Sequence, residues 1–125
     1  MMSIGKSMKI LLVDDSRTLT SILSDFLEMN GYECVTLNDG RNALTLMSEK
    51  KFDAVLLDLI MPEINGIDII DKLAKSGKIR EQKIILFTAA KISNQQTQEY
   101  LGKGVHACIE KPVQTDVLLK ILEEN

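Results

Sequence analysis

The chain has no tryptophan, one histidine, two prolines and two cysteines among 125 residues, and only 4% of it is aromatic. So little aromatic content leaves Leu, Ile, Val, Met and Ala to fill the core and excludes tryptophan fluorescence as a binding probe. Cys34 and Cys108 are far apart, each inside an apolar run, which reads as two buried reduced thiols rather than a disulfide or a zinc site. No apolar run approaches the roughly 20 residues that span a bilayer. Met1 to Lys6 lacks the apolar centre and cleavage site of a secretory signal, so a cytoplasmic protein with no membrane partner is expected. A net charge of −3 provides no basic stripe for a phosphate backbone, so no direct nucleic-acid contact is expected, and any effect on DNA would need a partner.

What is present is globular. The chain is 45% hydrophobic and 26% charged, and its length suits one domain able to bury a core without staples. We expect a single domain over 1–125, with 1–7 as a disordered leader. Met8 to Val13 is an apolar run ended by Asp14-Asp15, after which Leu19, Ile22, Leu23, Phe26 and Leu27 recur at helical spacing. Ser16 is placed to cap that helix, and Asn30-Gly31 to stop it. The alternation repeats: a strand over Glu33 to Leu37, then a helix with Ala43, Leu44 and Met47; a strand over Ala54 to Leu57, then a helix with Ile67, Ile70 and Leu73 inward. Met61-Pro62 and Asn65-Gly66 are loop signals between those two. A strand over Lys83 to Phe87 precedes a polar helix over Ser93 to Gly102, and a strand over Val105 to Ile109 precedes a helix carrying Val117, Leu118, Ile121 and Leu122.

Five strands alternating with five helices imply an α/β doubly wound parallel sheet with helices on both faces. In strand order 2-1-3-4-5, strands one and three are neighbours at the topological switch point, where such sheets bind ligands beyond their carboxyl ends. Four of the five strands stop there on polar residues: Asp14-Asp15, Asp58, Thr88, and Lys111-Pro112 beyond Glu110. Each alone reads as a cap or turn residue; together they read as a site. At about 4 Å and an effective dielectric near 20, each pair among three carboxylates costs on the order of 4 kcal/mol, so a cation must offset them. A hard divalent ion suits oxygen ligands while leaving room for a phosphate oxygen. Lys111 offers a point charge and Thr88 a hydroxyl to that phosphate. Pro112 after Lys111 invites a cis bond.

The ordered set of Asp-Asp, Asp58 with Met-Pro and Gly following at four and eight residues, Thr-Ala and Lys-Pro resembles the response-regulator receiver domain over Met8 to Glu123. The resemblance implies a flavodoxin-like (βα)5 fold and a signalling phosphoacceptor rather than an enzyme acting on a separate substrate. In it Asp58 is the phosphoacceptor, with Thr88 and Lys111 holding the phosphoryl group. Asp15 and Asp58 ligate Mg2+ directly, Asp14 acts through water, the backbone carbonyl of Ile60 completes the protein ligands, and Mn2+ can substitute. The implied partners are a sensor histidine kinase or histidine phosphotransfer protein, a downstream protein of unknown identity, and a second copy meeting weakly through the face of the fourth and fifth helices. Small Ala89 after Thr88 leaves the phosphoryl approach open.

Two features depart from that pattern. Receivers carry an aromatic residue three places before the lysine; Cys108 stands there, so output is expected through backbone shifts from Thr88 into the fourth helix. Ile60 and Ala90 flank the crevice with apolar groups that cannot hold a hydrolytic water, which implies a long-lived phosphoaspartate. Gln95, Gln96 and Gln98 give the fourth helix a polar surface that suits either a target or plain solvation. His106 is expected exposed and structural at the start of the fifth strand. A non-phosphorylated scaffold of the same fold, and an excised receiver of a larger regulator, stay open as alternatives.

Overall fold

The computed structural model describes residues 8–61, 66–89 and 91–124. The expected leader, the turn residues Pro62 and Asn65, and Ala90 lie outside the described residues. In chain order the elements are β1 (Lys9–Val13), α1 (Arg17–Met29), β2 (Glu33–Leu37), α2 (Gly40–Glu49), β3 (Ala54–Asp58), α3 (Gly66–Ser76), a 3-10 turn (Ile79–Glu81), β4 (Lys83–Thr88), α4 (Asn94–Lys103), β5 (Ala107–Glu110) and α5 (Thr115–Glu123). The strands form one parallel sheet in the order β2-β1-β3-β4-β5, as the sequence implied.

Side chains alternate across each strand, so each apolar run feeds two cores. Ile10, Leu12, Ala54, Leu56, Ile85 and Phe87 pack with Leu23 and Leu27 of α1 and Leu118 and Leu122 of α5. Leu11, Val13, Val55, Leu57, Ile84 and Leu86 face the other way, against α2, α3 and Tyr100 of α4. Both faces are covered, which is why the strands read as continuous apolar stretches.

The local punctuation works as the residue types require. Ser16 accepts from the Leu19 amide and caps α1, and Gly31 takes the left-handed φ of +91° just past its end. Three expectations of side-chain direction are corrected. Ile67 is partly exposed and Ile69 takes the inward place, because α3 begins at Gly66 and its stripe is set by packing on Val55 and Leu57 rather than by nearest spacing. Ile22 and Val117 are likewise exposed, the inward stripes of α1 and α5 being narrower than their apolar content. The fifth strand starts at Ala107, two residues later than expected.

Cys34 and Cys108 are half-buried, not buried, because β2 and β5 are the two edges of the sheet. Those opposite positions rule out a bridge between them. Burial pushes both thiols up, Cys34 to about 11 with help from Glu28, which keeps them protonated and poorly nucleophilic. His106 is partly buried rather than exposed: it precedes β5, with its ring against Glu124 at 3.0 Å. No helix among the described residues is long and apolar enough to cross a membrane.

Candidate phosphoacceptor site

The register of the sheet assembles the site. Val13 lies beside Leu57 and Asp58 beside Phe87, so the residues that end β1, β3 and β4 emerge side by side. One carboxylate oxygen from each of Asp14, Asp15 and Asp58 falls within 4.8 Å of the others. Asp14 is fully buried and Asp58 is 4% exposed, whereas Asp15 is open to solvent. Asp15, Asp58, Ile60, Thr88, Ala89 and Lys111 line a cavity of about 440 Å3. All the expected site residues except Asp14, Cys108 and Pro112 line this space; Asp14 sits directly beneath it through its contact with Lys111.

Each group is held in place. Asp14 Oδ1 accepts from the Ser16 amide at 2.8 Å, and its other oxygen accepts from Lys111 Nζ at 2.7 Å. The same ammonium is 3.6 Å from Asp58 Oδ2 and lies 5.0 Å from the centroid of the Phe87 ring, so two carboxylates and a ring face fix the lysine. Asp58 Oδ1 accepts from the Ile60 amide at 3.2 Å. The Lys111 amide donates to the Thr88 carbonyl at 2.8 Å, tying β5 to the end of β4, and the Lys111–Pro112 bond is cis. Cys108 lies off the cavity, on the sheet face beside Leu86.

Electrostatics single out Asp58. Burial first, then the neighbouring Asp14 carboxylate, push its carboxyl from the ordinary 3.8 up to about 6, while the Ile60 amide and Lys111 pull the other way. Lys111 supplies one positive charge against three negative ones. A compact set of oxygen donors with unmatched negative charge fits a small, hard divalent cation of the Mg2+ type.

Three residues support the site in ways that their sequence positions do not state. Asn38 donates to the Asp14 carbonyl at 2.7 Å and to Thr20 Oγ1 at 3.0 Å, holding the acidic pair from the side. It follows β2 as Asp14 follows β1, so the same rule of polar stops would have found it. Gly66 packs against the Asp58 backbone so closely that a Cβ there would lie 2.6 Å from the Asp58 carbonyl oxygen. Its loop signal was legible, its reason was not. Phe87 reads as plain core, and only the three-dimensional position of Lys111 gives it a second task.

A doubly wound sheet with an acidic pocket and a lysine at its carboxyl edge defines a class of phosphate-handling α/β domain. The comparisons give the family: this chain belongs to the response regulator receiver domains, which match residues 10–123. It is 34% identical over 115 residues to the sensor histidine kinase RcsC of Salmonella typhimurium, covering 92% of this chain and 12% of that protein. It is 43% identical over 81 residues to the transcriptional regulatory protein CpxR of Escherichia coli, covering 65% of this chain and 33% of that one. The chain thus spans a minor part of these relatives. Among solved structures, the chemotaxis response regulator CheY4 of Vibrio cholerae superposes with a TM-score of 0.82 at 30% identity, covering 94% of this chain and 98% of that one. Receivers of this family serve two-component signalling as phosphoacceptors rather than as enzymes of metabolism, and generally bind Mg2+ in an acidic pocket.

Proposed function

We propose that this domain, a single receiver unit over 1–125, accepts a phosphoryl group on Asp58 from a histidine kinase or histidine phosphotransfer protein and thereby switches the binding of a partner protein. The observation that carries the reading is the setting of Asp58: a nearly buried carboxylate, made more basic by burial and by Asp14, with Lys111 3.6 Å away.

The chemistry follows from those positions. At neutral pH a carboxyl near 6 is mostly ionised yet more basic, hence a better nucleophile, than an ordinary aspartate. Asp58 Oδ1 is engaged by the Ile60 amide, which orients the carboxylate toward the cavity. A new bond forms from an Asp58 oxygen to phosphorus as the bond from phosphorus to the donor breaks, and the departing imidazole of a phosphohistidine, or acetate from acetyl phosphate, carries off the electron pair of that bond. Transfer of this kind needs alignment and charge neutralisation rather than further covalent chemistry. The carboxylates of Asp14, Asp15 and Asp58 with the Ile60 carbonyl would hold Mg2+ or Mn2+, which supplies positive charge for the phosphoryl oxygens. Lys111 exchanges its contact with Asp14 for a phosphoryl oxygen, and the Thr88 hydroxyl donates to another.

Sequence likeness to the sensor histidine kinase RcsC and the transcriptional regulatory protein CpxR supports a histidine-kinase circuit. Incubation with acetyl phosphate and Mg2+, followed by intact mass measurement, tests the proposal. A gain of one phosphoryl group that disappears in Asp58→Asn is expected; an unmodified protein would favour the scaffold that only binds partners.

A further inference from the structure

The site described above leaves open how a change at Asp58 reaches the surface when β5 carries Cys108 in place of an aromatic ring. The helix next to Thr88 is built unlike its neighbours. Tyr100, 7% exposed, is the one buried residue of α4, whereas α1 buries three residues and α3 four. The first turn of α4 is complete in itself: Ser93 Oγ accepts from the Gln96 amide at 3.1 Å, and Gln96 Oε1 accepts from the Ser93 amide at 2.9 Å. That end needs no hydrogen bond from the rest of the fold in order to stay helical.

The other end is pinned. Lys103 Nζ meets Asp71 Oδ1 of α3 at 2.7 Å, the Val105 amide donates to the Tyr100 carbonyl at 3.1 Å, and Gly104, at φ +120°, lies so close to Ile79 that a Cβ would come within 2.7 Å of it. A helix fixed at its C-terminal end and held in the core by one ring is a lever. Its N-terminal end, held on the same core only by the partly buried Ile92, follows Thr88 by a few residues.

The ring stands over the relevant part of the sheet. Ile84 and Leu86 of β4 point to the α4 face, and the alternation of the strand carries Thr88 to the same face. Leu86 is paired in register with Cys108, which packs on that core. The Tyr100 phenol lies within electrostatic reach of the Cys108 thiol, Lys103 and Asp71. The aromatic group that β5 lacks is therefore supplied from above by α4.

We infer that Tyr100 is the side chain that couples the acceptor site to the surface, α4 swinging about its pinned C-terminal end and carrying the ring across the small Cys108. The inference rests on the phosphoacceptor reading: when Thr88 engages a phosphoryl group, the end of β4 moves toward Asp58, and the helix with a single buried anchor yields first. Gln95, Gln96 and Gln98 then change position without any rotamer change on β5.

The chain has two tyrosines, and Tyr32 packs against the opposite core, so the molecule carries its own control. The full chain, labelled with 3-fluorotyrosine, is followed by 19F NMR as Mg2+ and beryllium fluoride, a phosphoryl mimic, are added. Tyr32→Phe assigns the two signals, and bound beryllium fluoride gives a signal of its own. With the mimic bound, the Tyr100 resonance is expected to move by more than its linewidth while Tyr32 stays put. Bound mimic with an unmoved Tyr100, or with Tyr32 moving as far, overturns the inference and leaves the phosphoacceptor reading intact. Absence of a bound-mimic signal in the wild type, as in Asp58→Asn, overturns both.

Discussion

Replacing Asp58 with asparagine removes a charge that the fold holds unfavourably, and the effect can be worked out. The carboxyl rises from 3.8 to about 6 on folding, so the folded state binds protons more tightly than the unfolded chain. Between those two values folding takes up a proton, and stability therefore falls as pH rises through that window and levels off above it. At about 1.36 kcal/mol per pH unit, the metal-free protein loses about 3 kcal/mol by pH 7.5. Asparagine keeps the acceptor oxygen for the Ile60 amide but carries no charge. Asp58→Asn should thus be about 3 kcal/mol more stable than the wild type at pH 7.5 without metal, a rise of about 10 °C in Tm for a domain of this size. Near pH 4 the difference should vanish. Urea unfolding followed by far-ultraviolet circular dichroism in a chelating buffer measures both points, since there is no tryptophan to watch. Saturating Mg2+ should close most of that gap, stabilising the wild type by about 2.7 kcal/mol at a hundred times Kd and the variant less. An equal gain at pH 4 and pH 7.5, or no gain at either, would refute the assignment of Asp58 as the strained charge.

Three further outcomes follow from particular contacts. Lys111→Met removes the cation from Asp14 at 2.7 Å and from Asp58 at 3.6 Å; titration should place the Asp58 carboxyl above 6, and phosphorylation by acetyl phosphate should slow at least tenfold, on the order of 1.4 kcal/mol in barrier. Gly66→Ala sets a methyl 2.6 Å from the Asp58 carbonyl oxygen, and the forced backbone shift should destabilise the domain by about 1–3 kcal/mol and slow phosphorylation; wild-type melting would contradict the close approach. Ile60, 59% exposed at the rim of the cavity, has an apolar side chain that offers no hydrogen bond to an attacking water. The phosphorylated protein should therefore hold its label well beyond seconds and Ile60→Asn should shorten the lifetime, both read by the decay of radiolabelled protein.

The strands and their order were legible because burial on both faces writes an unmistakable apolar run, and a polar residue at the end of each run marks the edge of the sheet. Asp14, Asp15, Asp58, Thr88 and Lys111 were legible for the same reason. What the sequence hid depends on neighbours far away along the chain. Ile67 and Ile69 suit a helix equally well, and only contact with β3 decides which turns inward. The contact of Lys111 with Asp14 spans 97 residues, and no local pattern could say that the lysine meets a carboxylate before it meets a phosphate. Asn38 escaped attention because one asparagine after a strand is an ordinary turn residue, until Asp14 is seen beside it. Tyr100 was lost in the polar character of α4, whose single buried side chain gives too weak a period to reveal its inner face.

The central claim is that Asp58, and no other carboxylate of the acidic pocket, takes the phosphoryl group. Incubation of the chain with acetyl phosphate and Mg2+, borohydride trapping of the acyl phosphate, and peptide mass mapping test it directly. The modified residue should be Asp58 alone, with none in a chelating buffer. Trapping at Asp14 or Asp15, or no trapped product under conditions where Mg2+ stabilises the fold, would contradict the account.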